Sequence, residues 1–440
     1  MRLVTNARWT AAALGVTAAL LRLPHAFGDS LWQDEVASAR IIREPTLPAM
    51  LHHVVRTEST PPLWYAVAWL VHHAGVSIHD TRLVSVVANG LVVAFVVLLA
   101  NRFLPLPLAA CAGAFAAVTA QLAGHGHELR AYELFALLAL AFAFCLHDAA
   151  ARPSRRRLAA LAGVTCAGLL THYFFAFTVA AGALWVWLDP AARRVRRRVV
   201  LALGAGCVAF APWLPWFVVQ FRQHRYDWIG PFQARLVVAT PLRIFTPLLH
   251  GAAPAVALAF AVAGAAVVAR RGPLGRLCAT LALGPYALAA ATWAAGVNVY
   301  DVRNMIGVAP FLAIAAIAPL ALVPARVRIP AGVAVCAAAA AAFAVVTVNP
   351  AAPYSALART LVADGWRPSD PVLVPWNYRA YRSPLAWYLP HASTLDRVPL
   401  REVRGRIAFV VVPHDDAFLV ERLGRRRPRH AVALAVASRV

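Results

Sequence analysis

Asp34 and Glu35 are adjacent carboxylates whose type and position point to chemistry. They lie in residues 28–40, directly after the first apolar segment of a chain with 19 acidic residues among 440. A carboxylate pair beside a membrane segment is costly without a task, and general-base catalysis is a task that suits it. Adjacent side chains point in different directions, so we expect one to act directly and the other to position water, acceptor or backbone. We favour Asp34 as the base; the alternative is that both residues cap a helix that begins near them.

Four arginines at the ends of apolar segments are candidates for holding a phosphate group. They are Arg40, Arg82, Arg130 and Arg303. A guanidinium group presents a planar fork of donors that fits phosphate oxygens, and it keeps its charge when partly buried. The alternative for each of them is that the side chain extends to the membrane surface or forms a local ion pair.

The composition is that of a polytopic α-helical membrane protein. The chain is 61% hydrophobic and 14% charged, and its net charge of +23 comes from arginine without any lysine. The arginines fall in short clusters between apolar segments, which argues against a nucleic acid partner. We therefore expect the lipid bilayer to surround most of the chain.

Eleven apolar segments are predicted to cross the membrane as helices. A shorter segment, residues 62–75, has only 14 residues and is predicted to be a helix that lies on the outer membrane surface. The eleven segments are residues 9–23, 83–100, 104–122, 131–149, 158–173, 174–188, 199–219, 251–269, 277–296, 305–323 and 329–348.

Arginine clusters predict which side of the membrane each loop faces. The clusters at residues 152–157, 193–198, 270–276 and 326–328 should all face the cytoplasm. With eleven spans, this places the amino terminus in the cytoplasm and the carboxyl terminus outside. The same count places four polar segments together on the outer side, namely residues 28–40, 125–130, 171–173 and 298–304. We expect this face to carry the functional site.

The last 90 residues change character, which divides the chain into two predicted domains. Residues 1–349 form the transmembrane domain, and its first outer loop, residues 24–81, carries the acidic pair and the interfacial helix. Residues 350–440 are predicted to form a small extracytoplasmic α/β domain. Within it the pattern predicts helices at residues 350–365 and 383–389 and strands at residues 372–375 and 407–413.

Three histidines raise the question of a metal cofactor. His125, His127 and His172, together with Asp34 and Glu35, are residue types that bind divalent metals. Their spacing matches no strong ligand template, so the sequence assigns no metal site and no cofactor. A divalent metal stays open as an alternative.

Several short motifs, taken in order, resemble glycosyltransferase family 39, the dolichyl-phosphate-mannose–protein mannosyltransferase-like membrane proteins. Residues 31–35 (Leu-Trp-Gln-Asp-Glu), 60–65 (Thr-Pro-Pro-Leu-Trp-Tyr) and 82–85 (Arg-Leu-Val-Ser) resemble motifs of its first outer loop and the following span. Residues 127–132 resemble its Gln-Glu-x-Arg-x-Tyr segment, with His127 in place of Gln. Residues 171–174 (Thr-His-Tyr-Phe) and 302–304 (Val-Arg-Asn) resemble later motifs, the second with Asn304 where Tyr is commoner.

The resemblance implies a GT-C fold and an inverting glycosyltransferase that uses a polyprenyl-phosphate sugar as donor. Asp34 would be the base, Arg82 would help to organise the site, and Arg130 and Arg303 would meet the lipid phosphate. The matching motifs add four further candidates for substrate or phosphate binding: His127, Tyr132, His172 and Tyr173. The sugar does not carry over from the family, and neither does the acceptor, which can be a protein, a lipid or a cell-wall glycan.

Two other classes of function were weighed. A transporter or flippase of a lipid-linked or anionic substrate would place its polar residues near the membrane midplane, often in two repeated halves. Here the polar residues lie at span ends on one face, and the sequence shows no two-fold repeat. A non-catalytic scaffold would not explain why an acidic pair shares its side with several arginines. A membrane glycosyltransferase is the prediction that we favour.

Overall fold

Apolar segments of this chain fold as helices, since a helix satisfies its own backbone hydrogen bonds where water is absent. The structure, a computed structural model, describes residues 2–226, 228–246, 253–347, 354–363, 365–368, 372–373, 382–389, 394–395, 408–414, 417–423 and 433–436. Two compact units emerge. The first comprises Met1–Ala26 and Ile41–Val346, and the second comprises Phe27–Arg40 and Thr347–Val440.

Helices α1 to α10 follow one another with short connections and one 3₁₀ turn, Asp80–Arg82. Their bounds are α1 Arg2–Gly28, α2 Gln33–Ile42, α3 Leu47–Thr57, α4 Leu63–His73, α5 Leu83–Ala100, α6 Leu106–Val118, α7 Ala120–His125, α8 Tyr132–Ala151, α9 Arg155–Thr171 and α10 Phe175–Leu188.

Helices α11 to α17 complete the apolar part of the chain, with 3₁₀ segments at Pro190–Ala192, Ala211–Trp213, Val302–Val308 and Ala318–Leu322. Their bounds are α11 Arg196–Phe210, α12 Leu214–Arg222, α13 Ala234–Phe245, α14 Ala253–Ala269, α15 Gly272–Ala294, α16 Ala309–Ile317 and α17 Ala325–Thr347.

Local sequence explains where some of these helices begin. Thr46 precedes α3, and its side chain accepts a hydrogen bond from the Ala49 amide at 3.3 Å. Ser154 caps α9 in the same way, with the Arg157 amide 3.3 Å from its hydroxyl. Both are N-cap residues, which satisfy amides that the first helical turn leaves without partners.

Seven helical segments in the described residues are long and apolar enough to cross a membrane: Asn6–Gly28, Asp80–Ala100, Tyr132–Ala151, Arg196–Arg222, Gly272–Ala294, Val302–Leu322 and Ala325–Ala342. Three shorter apolar helices, α6, α10 and α14, accompany them. Each of the eleven predicted ranges contains a helix, but the count of eleven spans stays a prediction. Helix α4 has 11 residues, about 16 Å at 1.5 Å per residue, which is too short to cross a membrane.

Close backbone contact joins α1 to α5. A Cβ added to Gly15 would lie 2.6 Å from the carbonyl oxygen of Gly90, and one added to Gly90 would lie 2.8 Å from the carbonyl oxygen of Gly15. Small residues at a helix interface let two backbones approach in this way inside a membrane. The pair therefore fixes the first helix against the helix that Arg82 precedes.

The second unit combines helices with a five-stranded sheet. Its helices are α18 Tyr354–Ala363 and α19 Arg382–Tyr388, and its strands are β1 Val372–Leu373, β2 Thr394–Leu395, β3 Ala408–His414, β4 Ala417–Leu423 and β5 Ala433–Val436. The strand order is β2-β1-β3-β4-β5. Strand β1 is parallel to β2 and β3, and β3-β4-β5 are antiparallel.

The described part of the tail overlaps each predicted element. Helices α18 and α19 lie within or beside the predicted helices, and β1 and β3 overlap the predicted strands; residues 350–353, 374–375 and 407 lie outside the described residues. Strands β2, β4 and β5 were not predicted. Residues 27–40 also differ from the predicted division, because their contacts place them with the tail rather than with the transmembrane domain.

Candidate active site

The acidic pair lies in the first turn of α2, and the two carboxylates have different surroundings. Glu35 is fully buried, and its Oε2 accepts a hydrogen bond from the Trp32 amide at 3.2 Å. This contact caps the start of α2, so the capping alternative describes Glu35 well. Asp34 is only partly buried. Its backbone carbonyl accepts a bond from the Ser38 hydroxyl at 3.1 Å, and its carboxylate is the more accessible of the two.

Arg130 is held by an acidic partner that the sequence analysis missed. Its guanidinium group lies 3.3 Å from Oε2 of Glu58 and donates to the hydroxyl of Tyr65, also at 3.3 Å. The side chains of Arg130 and Glu58 are 11% and 9% exposed, so the charges meet in a largely dry environment. Burial raises the pKa of the Tyr65 phenol, and the nearby Arg130 and Glu58 have opposing smaller effects. The phenol therefore stays protonated.

Helix α5 holds the segment that carries Arg130. The Ser85 hydroxyl donates to the carbonyl oxygen of Glu128 at 2.6 Å, and the Asn89 amide donates to the carbonyl oxygen of Leu122 at 2.8 Å. Ser85 and Asn89 are one helical turn apart, so both project from one face of α5. Asn89 also donates to the buried carboxylate of Glu133 at 3.2 Å. The backbone before Arg130 is thus fixed at two points.

The same segment contains a close histidine–carboxylate pair. Nδ1 of His125 lies 2.7 Å from Oε2 of Glu128. Burial by itself would raise the pKa of Glu128. The contact with His125 and the charges of His127 and Arg130 outweigh it, so the pKa of Glu128 is lowered. Glu128 is therefore a carboxylate in neutral solution, and it adds negative charge beside Arg130.

Tyr132, His172 and His127 form the aromatic surroundings of this segment. The Arg130 guanidinium lies 6.0 Å from the Tyr132 ring centre, and the Tyr132 ring is 6.2 Å from that of His172. His172 stacks on Phe135 at 4.9 Å. The ring of His127 lies 5.1 Å from that of His25. Three of the predicted site residues, Arg130, Tyr132 and His172, are therefore brought together.

His172 has a defined protonation state. The backbone amide of Phe174 points at its Nδ1 over 3.2 Å. An amide nitrogen can only donate, so Nδ1 must accept and carries no proton. The imidazole is therefore neutral, with its proton on Nε2. Because the residue is 4% exposed, this N–H is a directed donor close to Arg130.

Tyr173 lies in a neighbouring network. Its hydroxyl accepts from the Trp213 indole at 2.9 Å and donates to the side chain of Gln220. The Gln220 amide in turn donates to the carbonyl oxygens of Val54 and Thr60 at 3.1 and 3.2 Å. Tyr173 therefore supports the segment on either side of Glu58.

Arg82 and Arg303 have contacts of their own. Arg82 is 1% exposed and donates to the carbonyl oxygen of Ala26, at the end of α1, over 3.2 Å. Its position suits the organising role that the sequence predicted. Arg303 contacts the carboxylate of Asp301 at 3.2 Å and lies 5.2 Å from the ring centre of Trp228. These are different partners from those described above for Arg130.

Comparison with known proteins identifies the segment that carries most of these residues. Residues 59–216 match the family described as dolichyl-phosphate-mannose-protein mannosyltransferase. This match confirms the predicted resemblance. The mannosyltransferase-like segment contains Arg82, Arg130 and His172, whereas Asp34 and Arg303 lie outside it. No curated protein sequence matches the chain.

Solved structures show the fold. ArnT from Cupriavidus metallidurans in the apo state is 14% identical with a TM-score of 0.57, over 91% of this chain and 92% of ArnT. The same protein bound to undecaprenyl phosphate is 16% identical with a TM-score of 0.51, over 86% of this chain and 74% of that one. The chain therefore has the GT-C fold and is a multi-pass membrane protein.

The metal alternative stays untested. Nδ1 of His125 contacts Glu128, and Nδ1 of His172 accepts from an amide. Each ring therefore has only Nε2 left for a metal. The roles of the predicted site residues also stay predictions. Glu58 is the acidic residue that the sequence analysis overlooked, although a signal was present: it lies next to residues 60–65, in the same outer loop as the acidic pair.

Proposed function

We propose that this protein is a membrane glycosyltransferase that moves a sugar from a polyprenyl-phosphate-linked donor to an extracytoplasmic acceptor. The observation that carries the proposal is the arrangement around Arg130. A guanidinium group, a protonated phenol and a neutral imidazole N–H lie within the mannosyltransferase-like segment. Such donors stabilise the charge that develops on a departing phosphate.

The reaction that we propose is a single displacement. Asp34 takes the proton from an acceptor hydroxyl, whose oxygen then attacks the anomeric carbon of the donor sugar. The bond between this carbon and the phosphate oxygen breaks, and the bond to the acceptor oxygen forms with inversion. The electron pair leaves with the polyprenyl phosphate, whose negative charge Arg130 and Arg303 stabilise.

The remaining candidates have supporting roles in this proposal. Arg82 organises the site from its buried position, and Tyr132, His172 and His127 contribute contacts to the sugar or the phosphate. Tyr173 keeps the Glu58 segment in place through Gln220. Glu35 caps α2 and so positions the backbone of Asp34. ArnT binds undecaprenyl phosphate in one of its structures, which supports a polyprenyl phosphate as the donor lipid here.

We also propose the topology predicted from the sequence. The amino terminus lies in the cytoplasm, eleven helices cross the membrane, and residues 350–440 form an extracytoplasmic α/β domain. Helix α4 lies on the outer surface, and its length of 11 residues supports this placement. Positive charges that cluster on alternate loops support the orientation.

A transfer assay tests the function. Purified protein in liposomes is given radiolabelled polyprenyl-phosphate sugars and a membrane extract as acceptor, and the transferred label is counted. We expect transfer by the wild type and none by Asp34→Asn. Glu44→Gln, a change at another acid of the same loop that contacts His53 at 2.7 Å, should retain activity. Movement of the labelled lipid across the bilayer without transfer would contradict the proposal and indicate a flippase.

A further inference from the structure

The stretch that carries the acidic pair shares a compact unit with the carboxyl-terminal tail. Residues Phe27–Arg40 and Thr347–Val440 form this second unit, although more than 300 residues separate them in the chain. Such a distant pairing requires specific contacts, because ordering a loop costs conformational entropy. The contacts are found directly before α2.

Ser30 and Ser355 form a reciprocal pair. The Ser30 hydroxyl donates to the hydroxyl of Ser355 at 3.0 Å, and the Ser355 amide donates back to the Ser30 hydroxyl at 3.0 Å. Ser30 is 5% exposed, so water competes little for these bonds. Ser355 lies in the first turn of α18, where amides have no helical partner. The pair therefore attaches residue 30 to the start of α18.

A second contact attaches the next residue to α19. The amide of Leu31 donates to the hydroxyl of Tyr388 at 2.7 Å, and the Leu31 side chain is buried. Two consecutive residues of the acidic stretch are thus held by two separate helices of the tail. Helix α18 is itself well fixed, since Tyr354, Leu357 and Leu361 on one of its faces are buried.

The hydrogen bonds continue from this attachment to the carboxylates. The Trp32 amide donates to Glu35, and the Val36 amide donates to the carbonyl oxygen of Trp32 at 2.9 Å. Asp34 lies only three residues after Leu31. Because its backbone is bounded on both sides by these bonds, movement at residues 30–31 would move its carboxylate.

We propose that the tail is a positioning device for catalysis: Ser355 and Tyr388 hold residues 30–31 and thereby fix the carboxylate of Asp34 for proton abstraction. The inference rests on the proposed function and adds a role for residues that no motif marked. A base that is displaced by about 1 Å can lose roughly a hundredfold in rate, so an attachment close to Asp34 matters more than its small area suggests.

A cleft beside the attachment offers a competing explanation. Its volume is about 920 Å³, and Arg359, Val362 and Leu389 line it together with Ser355 and Tyr388. If this cleft bound the acceptor, the same two residues would act on acceptor affinity. The two roles differ in kinetics, because positioning affects kcat whereas docking affects the acceptor KM.

Steady-state kinetics of five variants in the transfer assay separate these roles. Ser30→Ala and Tyr388→Phe should lower kcat about tenfold to a hundredfold with both KM values unchanged. Ser355→Ala should have a smaller effect, because its backbone amide still donates. Ser355→Thr keeps the hydroxyl and should retain activity, and so should Arg359→Gln, which changes the cleft only. A raised acceptor KM at normal kcat in Tyr388→Phe and Arg359→Gln would overturn the proposal.

Hydrogen exchange provides a readout that does not depend on catalysis. Amides of residues 30–36 should exchange faster in Ser30→Ala and Tyr388→Phe than in the wild type, and unchanged exchange would contradict the attachment. The assay also distinguishes the two possible failures. If Asp34→Asn were fully active, the proposed function would fail. If Asp34→Asn were inactive but both attachment variants had normal kcat, only the positioning role would fail.

Discussion

Arg130 and Glu58 form an ion pair across 72 residues of sequence, with 3.3 Å between the guanidinium nitrogen and the carboxylate oxygen. The pair gives Arg130 a partner when no phosphate is bound. A donor phosphate must therefore compete with Glu58 for the same guanidinium group. This competition can be measured.

Glu58→Gln should weaken the empty protein and strengthen its response to ligand. Without the carboxylate, Arg130 is a partly buried charge with a poorer partner, so the melting temperature should fall by a few degrees. Bound polyprenyl phosphate then supplies the missing anion and should raise the melting temperature more than in the wild type. Thermal unfolding in detergent, with and without the lipid, measures both shifts. Equal ligand-induced shifts in variant and wild type would show that Glu58 and the phosphate do not compete.

His172 should act as a neutral hydrogen-bond donor. Asn at this position retains an acceptor for the Phe174 amide but loses the donor at Nε2, whereas Gln places an amide near the Nε2 position. One lost hydrogen bond of about 1 kcal/mol corresponds to roughly a fivefold change in affinity. We therefore expect a donor KM raised about fivefold in His172→Asn and nearer to the wild-type value in His172→Gln. Identical KM values in the two variants would contradict the role.

Glu128 should make stability depend on acidity. Its lowered pKa means that the unfolded chain binds the proton more tightly, so the stabilisation is complete above the unfolded pKa of about 4.3 and is lost as the pH falls through the lower folded value. Glu128→Gln should melt a few degrees below the wild type at pH 7, with the difference closing at acidic pH.

A control for this prediction is Glu44→Gln. Glu44 also lies 2.7 Å from a histidine, His53, but its side chain is 30% exposed. Exposed pairs contribute little, so its melting temperature should differ less from that of the wild type. A constant difference between Glu128→Gln and the wild type at all pH values would contradict the titration of Glu128.

Asn89 should be a structural requirement of the Arg130 segment. Asn89→Leu leaves both the Leu122 carbonyl and the Glu133 carboxylate without this buried donor, which should cost about 2–3 kcal/mol or more. Glu133→Gln keeps an oxygen that can accept from Asn89 and should have a much smaller effect. Melting temperatures of both variants, together with their yield after purification, check the difference. A stable Asn89→Leu protein would mean that other contacts hold the segment.

Much of the helical architecture follows from the sequence, because long apolar runs have few other ways to satisfy their backbone in a membrane. The short interfacial helix was predicted at residues 62–75 and is found at Leu63–His73. The motifs around Arg130 also predicted part of the site, and the family match confirms the resemblance that they suggested.

Contacts between distant residues could not be read in the same way. Nothing in the sequence pairs Glu58 with Arg130, or Leu31 with Tyr388, because these contacts depend on how separate helices pack. Strand β4, Ala417–Leu423, was missed since its sequence Ala-Phe-Leu-Val-Glu-Arg-Leu lacks strict alternation. Its pairing with β3 overrides this weak local pattern.

The most direct test of the proposed mechanism is the single-turnover rate of Asp34→Asn with the donor already bound. A base that acts only in the chemical step can be removed without loss of donor affinity. We expect the variant to bind the polyprenyl-phosphate sugar as tightly as the wild type does and to transfer it at least about a hundredfold more slowly. An unchanged single-turnover rate would show that Asp34 is not the base.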